Sequence, residues 1–176
     1  MFIDMTNNEL NYIDDWDLYF FKVANLIAMK SKDPSSQVGS VIIKDKHILT
    51  TGFNGFCMGV NDNKERYNNR ELKYRLVAHS EFNACIIASK FGISLQNSTM
   101  YTQSIPCDSC AKAIIQSGVR TVKTLKNCEE IWGKFPNWSD SCEITKIMFE
   151  EAGISLEILD FICGDKIKIG GKIYEI

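Results

Sequence analysis

The stretch that decides the fold is TMYTQSIPCDSCAKAIIQSGVRTVKTL, residues 99–125. It predicts a short strand over Thr99–Ser104, a helix over Cys107–Ser117 that ends at Gly118, and a second strand over Val119–Leu125. A strand, a helix and another strand in this order are typical of a parallel crossover, in which the helix packs across the sheet. The stretch therefore indicates an α/β fold.

The segments on either side extend this alternation of strands and helices. Their predicted elements are, in chain order, a helix over Asp14–Met29, an antiparallel hairpin of strands Val38–Ile43 and His47–Phe53, a helix that follows His79 and continues to Lys90, a helix over Ser139–Ala152, a strand over Ile154–Leu159 and a small hairpin turned at Gly170-Gly171. Together they predict a mixed five-stranded sheet covered by helices. Residues 54–77 interrupt the periodicity and read as a long loop, a kind of segment that tends to be functional.

The length of the chain favours a single domain. Its 176 residues contain no internal repeat, and with three prolines there is no obvious linker. We expect one domain over residues 1–176, with a core at about 14–160 and a hairpin extension at about 161–176. In the first helix, an apolar stripe at helical spacing is expected to face the core; its members are Trp16, Phe20, Val23 and Ile27.

The composition limits the partners and the compartment. A formal net charge of −2 argues against a nucleic-acid partner, because nucleic-acid binders usually carry a basic surplus, and it favours a small substrate. No apolar run reaches the roughly 18 residues that a membrane span needs, and the acidic N-terminus does not resemble a signal peptide. Seven cysteines cannot all pair with one another, which favours a reducing compartment. We therefore expect a cytoplasmic protein without a membrane partner, in the host cytoplasm if the source is viral.

The segment SIPCDSCAKAIIQSG, residues 104–118, places a Cys-x-x-Cys pair at the start of the third predicted helix. Free N–H groups and the helix dipole favour thiolates there, and the two-residue spacing lets Cys107 and Cys110 face one ion. Alone, the pair fits a redox site, half of a structural zinc site or a catalytic zinc site. The redox interpretation is weakened because thioredoxin-type pairs follow the first strand of their domain, and a structural site lacks a second ligand pair.

The segment AHSEFNAC, residues 78–85, supplies a further candidate ligand and a candidate proton carrier. His79 would complete three protein ligands and leave one position to water, which is the arrangement of a catalytic zinc site. Glu81 would then accept and return the proton of that water. Taken singly, His79 is equally a core histidine and Glu81 a solvated carboxylate at a helix start. His-x-Glu followed by Pro-Cys-x-x-Cys, however, is the joint pattern of zinc deaminases.

In these residues, the chain resembles the cytidine and deoxycytidylate deaminase family. The resemblance covers most of residues 14–160, and the segments that carry it are SKDPSSQVGSVI, TGFNGFCMGVND, KYRLVAHSEFNA and PCDSCAKAIIQSGV. It implies the three-layer fold of cytidine deaminases, with helices on both faces of the sheet. It also implies that His79, Cys107 and Cys110 bind Zn²⁺ and that Glu81 is the proton shuttle.

The resemblance further implies the reaction and the substrate. It is closest to the branch that hydrolyses dCMP to dUMP and ammonia, which supplies dUMP for thymidylate synthesis. Asn54 matches an asparagine that hydrogen-bonds the sugar, although Asn-Gly is also a strong turn former. The other residues expected to contact substrate are Ser80 through its backbone, Ser104 through a carbonyl in its turn, and Ser31, Lys32 and Lys126 near the phosphate, where most lysines are otherwise simply solvated.

Members of this branch are commonly hexamers that dCTP activates and dTTP inhibits. The natural place for such a triphosphate is the 54–77 segment, and its candidate residues are Gly55 and Gly59 for close backbone approach, Asp62 for Mg²⁺, and Arg70 and Lys73 for phosphates. A solvated charged loop is the competing interpretation of this segment.

Two positions depart from the family's pattern, and two other functions stay open. Ser80 stands where the family usually has alanine, and Cys57 stands where it has proline. The first of these functions is that of a deaminase of another cytidine nucleotide or of a polynucleotide. A deaminase of tRNA or another polynucleotide would use the same catalytic residues, but is expected to have a shorter 54–77 connection and a more basic surface. A zinc-stabilised binding module would need a fourth protein ligand and no Glu81.

Overall fold

Strands and helices alternate along most of the chain. A computed structural model describes residue 13 and residues 15–176, apart from the side chains of residues 136 and 137. In chain order, the elements are α1 (Trp16–Ala28), β1 (Gly39–Lys44), β2 (His47–Phe53), β3 (Gly55–Phe56), α2 (Lys64–Asn68), α3 (Arg70–Leu76), β4 (Val77–Ala78), α4 (Ser80–Lys90), β5 (Ser98–Thr102), α5 (Asp108–Ser117), β6 (Val119–Leu125), α6 (Lys126–Trp132), α7 (Pro136–Ala152), β7 (Ser155–Leu159), β8 (Lys166–Ile169) and β9 (Lys172–Glu175).

The central sheet has five strands in the order β2-β1-β5-β6-β7. β1 is antiparallel to both β2 and β5, whereas β5, β6 and β7 are mutually parallel. The parallel pairs are those that α5 and α7 connect, as expected for crossover helices. The predicted mixed five-stranded sheet is thus confirmed.

Apolar residues alternate between the two faces of this sheet, so each face buries its own core. Along β1, Val41 and Ile43 belong to one hydrophobic cluster and Ile42 belongs to the other. The first cluster packs against α1, α6 and the β8–β9 hairpin, and the second packs against α4, α5 and α7. Helices therefore cover both faces, which confirms the three-layer α/β fold.

The first helix buries the predicted stripe except for its first member: Phe20 is buried, and Val23 and Ile27 are partly buried against the core. Asp15 caps its N-terminus, and Phe20, Phe21, Ala24 and Ala28 are buried, whereas the Trp16 residue is 45% exposed. The small alanines are needed because Gly39 of β1 lies against the helix backbone, where an added Cβ would collide with the Ala24 carbonyl oxygen. The prediction for Trp16 was wrong, since close backbone packing turns the helix towards its alanines.

The 54–77 segment contains regular structure that the sequence did not predict. Two short helices, α2 and α3, are capped by the Asn63 and Asn69 side chains, and β3 pairs with β4. Helices of five and seven residues are too short to show a clear apolar period, which is why the segment reads as a loop.

A third unpredicted helix, α6, follows β6 directly and begins at Lys126. The next helix, α7, begins at Pro136 instead of residue 139, with proline in the first turn, where its missing N–H is not needed. The residues after β6, where Lys126 was predicted to lie in a loop, therefore form α6 and the start of α7. Both helices lie close to the Cys-x-x-Cys motif of α5.

The C-terminal hairpin of β8 and β9 packs on the loop that follows α1. The Gly171 N–H donates to the Ser35 carbonyl, and the Gln37 N–H donates to the Lys168 carbonyl. Ile167 and Ile169 of β8 are buried in the same cluster as α1. Among the helices of the described residues, none is both long and apolar enough to cross a membrane.

The packing of α4 on β2 makes a first prediction. At Gly52, an added Cβ would collide with the Ser80 carbonyl oxygen and lie 2.5 Å from Ala84 N. We expect Gly52→Ala to lower the free energy of unfolding by about 2 kcal/mol, because α4 would have to move off the sheet. Gly55→Ala is the control, since its nearest neighbour, a Phe53 ring carbon, lies at 3.6 Å. Urea denaturation measures both; equal midpoints for the two variants would contradict the prediction.

Candidate active site

Three potential metal ligands meet where two helices begin. His79 is the N-cap residue of α4, Cys107 is the N-cap residue of α5, and Cys110 lies in the first turn of α5. His79 Nδ1 lies 3.3 Å from Cys107 Sγ and 3.6 Å from Cys110 Sγ, and the three ligand atoms all lie within 4.8 Å of one another. Neither N-cap side chain makes a capping hydrogen bond to its own helix, so both are available to an ion.

The donor set fits zinc. Ligands of a tetrahedral zinc ion at about 2.0 Å for nitrogen and about 2.3 Å for sulfur are separated from one another by about 3.6 Å. The two distances from His79 to the cysteine sulfurs agree with this spacing. One imidazole and two thiols form a borderline-soft set of three, which suits zinc and leaves one coordination position to a small molecule.

The three ligand side chains share protons with one another. A hydrogen bond from Cys110 lowers the pKa of Cys107 to about 4, so this thiol is ionised. The bond to Cys107 in turn raises the pKa of His79 to about 9. A cation that binds here replaces the shared protons, and its binding must therefore release protons to the solvent.

Glu81 lies next to this group without belonging to it. Glu81 is 2% exposed, and its Oε2 accepts from the Cys110 thiol at 3.7 Å. Burial raises the pKa of this carboxyl group. A buried carboxylate with a raised pKa, adjacent to a metal ligand set, is suited to accept and return a proton near neutral pH.

Two buried hydroxyl groups contact the Glu81 carboxylate. Ser80 Oγ donates to Oε2 at 3.2 Å, and Thr102 Oγ1 donates to Oε1 at 3.3 Å. Ser80, the residue that departs from the family's alanine, therefore directs its hydroxyl into the protein towards Glu81. Sequence reasoning missed Thr102, because only the sheet brings β5 beside the start of α4.

The loop before Cys107 is held by α6 and α7. The Glu129 carboxylate accepts from the Ile105 N–H at 2.5 Å, and the Thr145 hydroxyl donates to the Pro106 carbonyl at 2.8 Å. Ser141 of α7 is bonded to both the N–H and the carboxylate of Asp108. The placement of Cys107 thus depends on two helices that the sequence did not assign to the site.

Glu129 makes a second prediction, on stability and pH. Burial raises the pKa of Glu129 to about 7, above its unfolded value, so the folded state holds a proton that the unfolded state has lost. The contribution of Glu129 to stability is therefore most favourable below about pH 4 and becomes less favourable as the pH rises to 7. Glu129→Gln keeps an acceptor for Ile105, so its stability relative to the wild type should improve by about 1–3 kcal/mol between pH 5 and pH 8.

Urea denaturation of the wild type and Glu129→Gln at several pH values measures this difference. Glu143→Gln is the control, because Glu143 is an exposed residue of α7. A constant difference between wild type and Glu129→Gln from pH 5 to pH 8 would show that Glu129 does not titrate as described.

Two tryptophans form an aromatic wall beside the ligand set. The Trp138 ring centroid lies 6.0 Å from that of His79, and Trp138 stacks on Trp132 at 4.6 Å. Both indole Nε1 atoms are buried without a hydrogen-bond partner among the residues the structure describes. These N–H groups are potential donors to a ligand. The signal in the sequence was two tryptophans close together downstream of Cys-x-x-Cys, but only the fold places them beside His79.

The family follows from comparison with known proteins. Residues 14–126 match the family model described as the cytidine and deoxycytidylate deaminase zinc-binding region, and this match includes His79, Glu81, Cys107 and Cys110. The chain belongs to the cytidine and deoxycytidylate deaminase family. It is a zinc-dependent hydrolytic enzyme, as expected for a site with three metal ligands and an adjacent carboxylate.

Individual relatives support this assignment. The deaminase is 35% identical over 144 residues to an uncharacterized deaminase from Aliivibrio fischeri, with 82% of this chain and 93% of the relative covered. It is 34% identical over 147 residues to deoxycytidylate deaminase from Homo sapiens, with 80% of this chain and 78% of the relative covered. Both alignments extend over most of each protein.

A solved structure supports the fold. The dCMP deaminase of cyanophage S-TIM5, in complex with dCMP and dUMP, superposes with a TM-score of 0.65 at 23% identity, covering 84% of this chain and all but 1% of that one. The predicted cytidine-deaminase-like fold is thereby confirmed.

Most of the side chains predicted to contact substrate are bonded to other residues of the deaminase. The Asn54 side chain accepts from the Val38 N–H at 2.8 Å and donates to the Ser36 carbonyl at 2.9 Å. Ser31 donates to the Asn54 carbonyl at 2.7 Å. Asn54 is thus a clamp that fixes the loop after α1, and Ser104 is buried in the loop before Cys107.

The predicted phosphate-binding lysines lie at the surface. Lys32 pairs with Asp62 at 2.7 Å, and both side chains are exposed. Lys126, predicted in a loop, is instead the first residue of α6, where it pairs with Asp160 at 2.6 Å. Exposed pairs of this kind are weak, so either ammonium can exchange its partner for a phosphate.

The 54–77 residues predicted to bind an effector differ in accessibility. Gly59 is exposed with a φ of 85°, Arg70 is exposed at the start of α3, and Gly55 is buried in β3. Lys73 is buried and bonded to Asp33 at 3.0 Å and to Ser35 at 3.1 Å. Lys73 therefore anchors the segment to the loop after α1, and a phosphate could reach it only if this ion pair opened.

Proposed function

We propose that this enzyme hydrolyses dCMP to dUMP and ammonia and so supplies dUMP for thymidylate synthesis. The observation that carries the proposal is the convergence of three metal ligands and the buried Glu81 carboxylate at the starts of α4 and α5. The relative from Homo sapiens that aligns over 80% of the chain is a deoxycytidylate deaminase, which favours the same substrate here.

The residues of the chain account for the proton transfers of this reaction. His79, Cys107 and Cys110 would hold the zinc ion, which would activate the attacking water. Glu81 accepts a proton from the water and delivers it to the ring nitrogen beside the carbon that bears the amino group. It then moves the remaining proton to the departing amino group. Water and dCMP are consumed, and dUMP and ammonia are formed, so all atoms balance.

The aromatic wall of Trp132 and Trp138 supports a planar substrate. A pyrimidine ring beside His79 would stack on Trp138, and the unpartnered indole N–H groups would donate to sugar or phosphate oxygens. The sugar is assigned to the loop that Asn54 holds, and the base to the backbone of Ser80 and of the turn at Ser104. Lys32, Lys126 and the nearby Ser31 are the candidates for the phosphate.

Replacement of Trp138 tests this wall. We expect Trp138→Ala to raise the KM for dCMP about tenfold, because base stacking on an aromatic side chain is worth about 1–3 kcal/mol. The zinc content should stay at the wild-type level, since Trp138 is not a ligand. Trp16→Ala is the control, because this tryptophan packs on Tyr19 and Phe20 of α1. Steady-state kinetics with an unchanged KM for Trp138→Ala would remove Trp138 from the substrate site.

The substrate is tested by measuring ammonia release from dCMP, cytidine, dCTP and a short oligonucleotide in parallel, with zinc-loaded enzyme. We expect the highest kcat/KM for dCMP. If dCMP is inert and another substrate reacts, the narrower assignment is wrong and the enzyme deaminates a different cytidine nucleotide or a polynucleotide.

Regulation by triphosphates is proposed for the 54–77 segment. The exposed Asp62, with the exposed Gly59 and Arg70 on the same segment, offers a carboxylate for Mg²⁺ and a cation for phosphates. Gly55 and Lys73 are assigned to its support, because both are buried. Saturation curves for dCMP with and without dCTP and dTTP decide this; no response to either nucleotide removes the proposal.

Assembly into a homo-oligomer, and specifically a hexamer, is proposed from exposed apolar residues around α4. Phe82, Ile86 and Phe91 are exposed, and the exposed Met58 is contacted by Lys90 of the same helix. Light scattering on purified enzyme tests this, and a monomer would overturn it.

The C-terminal hairpin shares a hydrophobic cluster with α1, which supports one domain over residues 1–176. The free cysteines favour a reducing, cytoplasmic location.

A further inference from the structure

A closed ring of oxygen atoms includes the Glu81 carboxylate. Its other members are the hydroxyls of Ser40, Ser80 and Thr102, and we call the three the hydroxyl ring. Ser80 Oγ and Thr102 Oγ1 each donate to one carboxylate oxygen, at 3.2 and 3.3 Å. Ser40 Oγ closes the ring, because it lies 2.7 Å from Ser80 Oγ and 3.1 Å from Thr102 Oγ1. None of the three hydroxyl residues is exposed.

The positions of these hydroxyls are set by rigid parts of the fold. Ser40 of β1 and Thr102 of β5 are direct register partners, so their side chains lie side by side on one face of the sheet. Ser80 is the first residue of α4, and α4 lies directly on the backbone of β2 at Gly52. Two neighbouring strands and one helix start therefore hold the hydroxyl ring without help from a loop.

Such a ring matters because a glutamate side chain is flexible. Its carboxylate turns about three side-chain torsions, whereas a proton carrier must be held within about 0.5 Å and about 10–20° of its working geometry. A carboxylate oxygen accepts two hydrogen bonds. One bond from the hydroxyl ring at each oxygen therefore fixes the orientation of the group. The second lone pair of Oε1 stays available to the water and the substrate, whereas that of Oε2 accepts from the Cys110 thiol, whose proton a bound cation replaces.

We propose that Ser40, Ser80 and Thr102 are positioning residues that orient the Glu81 carboxylate for proton transfer. This inference rests on the proposed function, because it presumes that Glu81 transfers protons during deamination. Ser80 and Thr102 act directly on the carboxylate, and Ser40 acts through them. Loss of a ring hydroxyl is expected to affect the chemical step more than substrate binding.

The test compares Thr102→Val, which removes the hydroxyl, with Thr102→Ser, which retains it. We expect Thr102→Val to lower kcat for dCMP about 10- to 100-fold while KM changes by less than about threefold and zinc content stays constant. Thr102→Ser should recover most of kcat. Ser80→Ala, a smaller change, should lower kcat in the same direction and carries the test if Thr102→Val fails to fold.

The matched control is Thr50→Val. Thr50 is also a buried threonine. It lies on β2, which neighbours β1, and its hydroxyl donates to the Ala84 carbonyl of α4 at 3.1 Å instead of to Glu81. It should lose thermal stability to a similar extent as Thr102→Val but keep kcat within about twofold of the wild type, because orientation of the carboxylate is unaffected. An equal loss of kcat in Thr50→Val would reduce the role of Thr102 to general stability and overturn the inference.

The outcomes separate this inference from the proposed function. If the wild type deaminates dCMP and Glu81→Ala does not, the proposed function stands; wild-type kcat in both Thr102→Val and Ser80→Ala then overturns the positioning role alone. If the zinc-loaded wild type does not act on dCMP, the proposed function fails. Crystal structures of zinc-loaded wild type and Thr102→Val then decide the positioning role, which an unmoved Glu81 carboxylate would overturn.

Discussion

Replacement of Glu81 with alanine is expected to lower kcat for dCMP at least about 1,000-fold while the protein keeps its zinc. The physical reason is that Glu81 is the carboxylate next to the ligand set, buried beside Cys110, so no other group or free solvent can take over its proton transfers. Stopped assays of ammonia release, together with zinc analysis of the same samples, measure the effect.

Two further variants make the result for Glu81 specific. Glu81→Gln keeps the shape and an acceptor oxygen for one of the two hydroxyl donors but cannot carry the proton, and it should be nearly as inactive as Glu81→Ala. Glu151→Ala is the control, because Glu151 is an exposed glutamate of α7. A Glu81→Ala variant that retains zinc and wild-type kcat would refute the mechanism.

Loss of the metal is expected to have a comparably large effect. Cys107→Ala should bind less than about one tenth of a zinc ion per chain and show no measurable turnover, because two ligands do not hold zinc tightly. Removal of zinc from the wild type with a chelator should abolish activity, lower the midpoint of thermal unfolding and be reversed by added zinc, since binding to the folded state stabilises it.

The control for the metal ligands is another cysteine on one of the same two helices. Cys85 of α4 is buried, and its sulfur contacts the Ser117 hydroxyl instead of the ligand set. Cys85→Ala should retain one zinc ion and most of the activity, with only a modest loss of stability. Full activity of the zinc-free wild type would exclude the role assigned to all three ligands.

The chemistry of the site was predictable from sequence because its parts are local motifs. His79 and Glu81 lie two positions apart, and Cys107 and Cys110 lie three apart, so each pair is placed by one helix start. The sheet was predictable for a similar reason, since apolar periodicity and turn residues report on one segment at a time. The parallel pairing of strands joined by a helix then followed from crossover rules, whereas the order of the strands came from the structure.

What depends on residues far apart in the chain was not predictable. Short helices such as α6 are too brief to show a period, so the contact of Glu129 with the loop before Cys107 did not emerge. Lys73 was expected to bind phosphate. The burial of its ammonium group against Asp33 was not predictable, because it depends on how the 54–77 segment folds back. A side chain's surroundings, more than its type, decide its role in such cases.

By itself, the sequence predicted a three-layer α/β deaminase and His79, Cys107 and Cys110 as candidate metal ligands beside Glu81. Only the tertiary structure decided what surrounds that carboxylate: Ser40 and Thr102, which are 62 positions apart in the chain and meet through strand pairing, and Ser80, which α4 presses against them. The physical reason is that spacing along a helix fixes which groups can share one ion, whereas the orientation of a buried group depends on neighbours that only packing brings together.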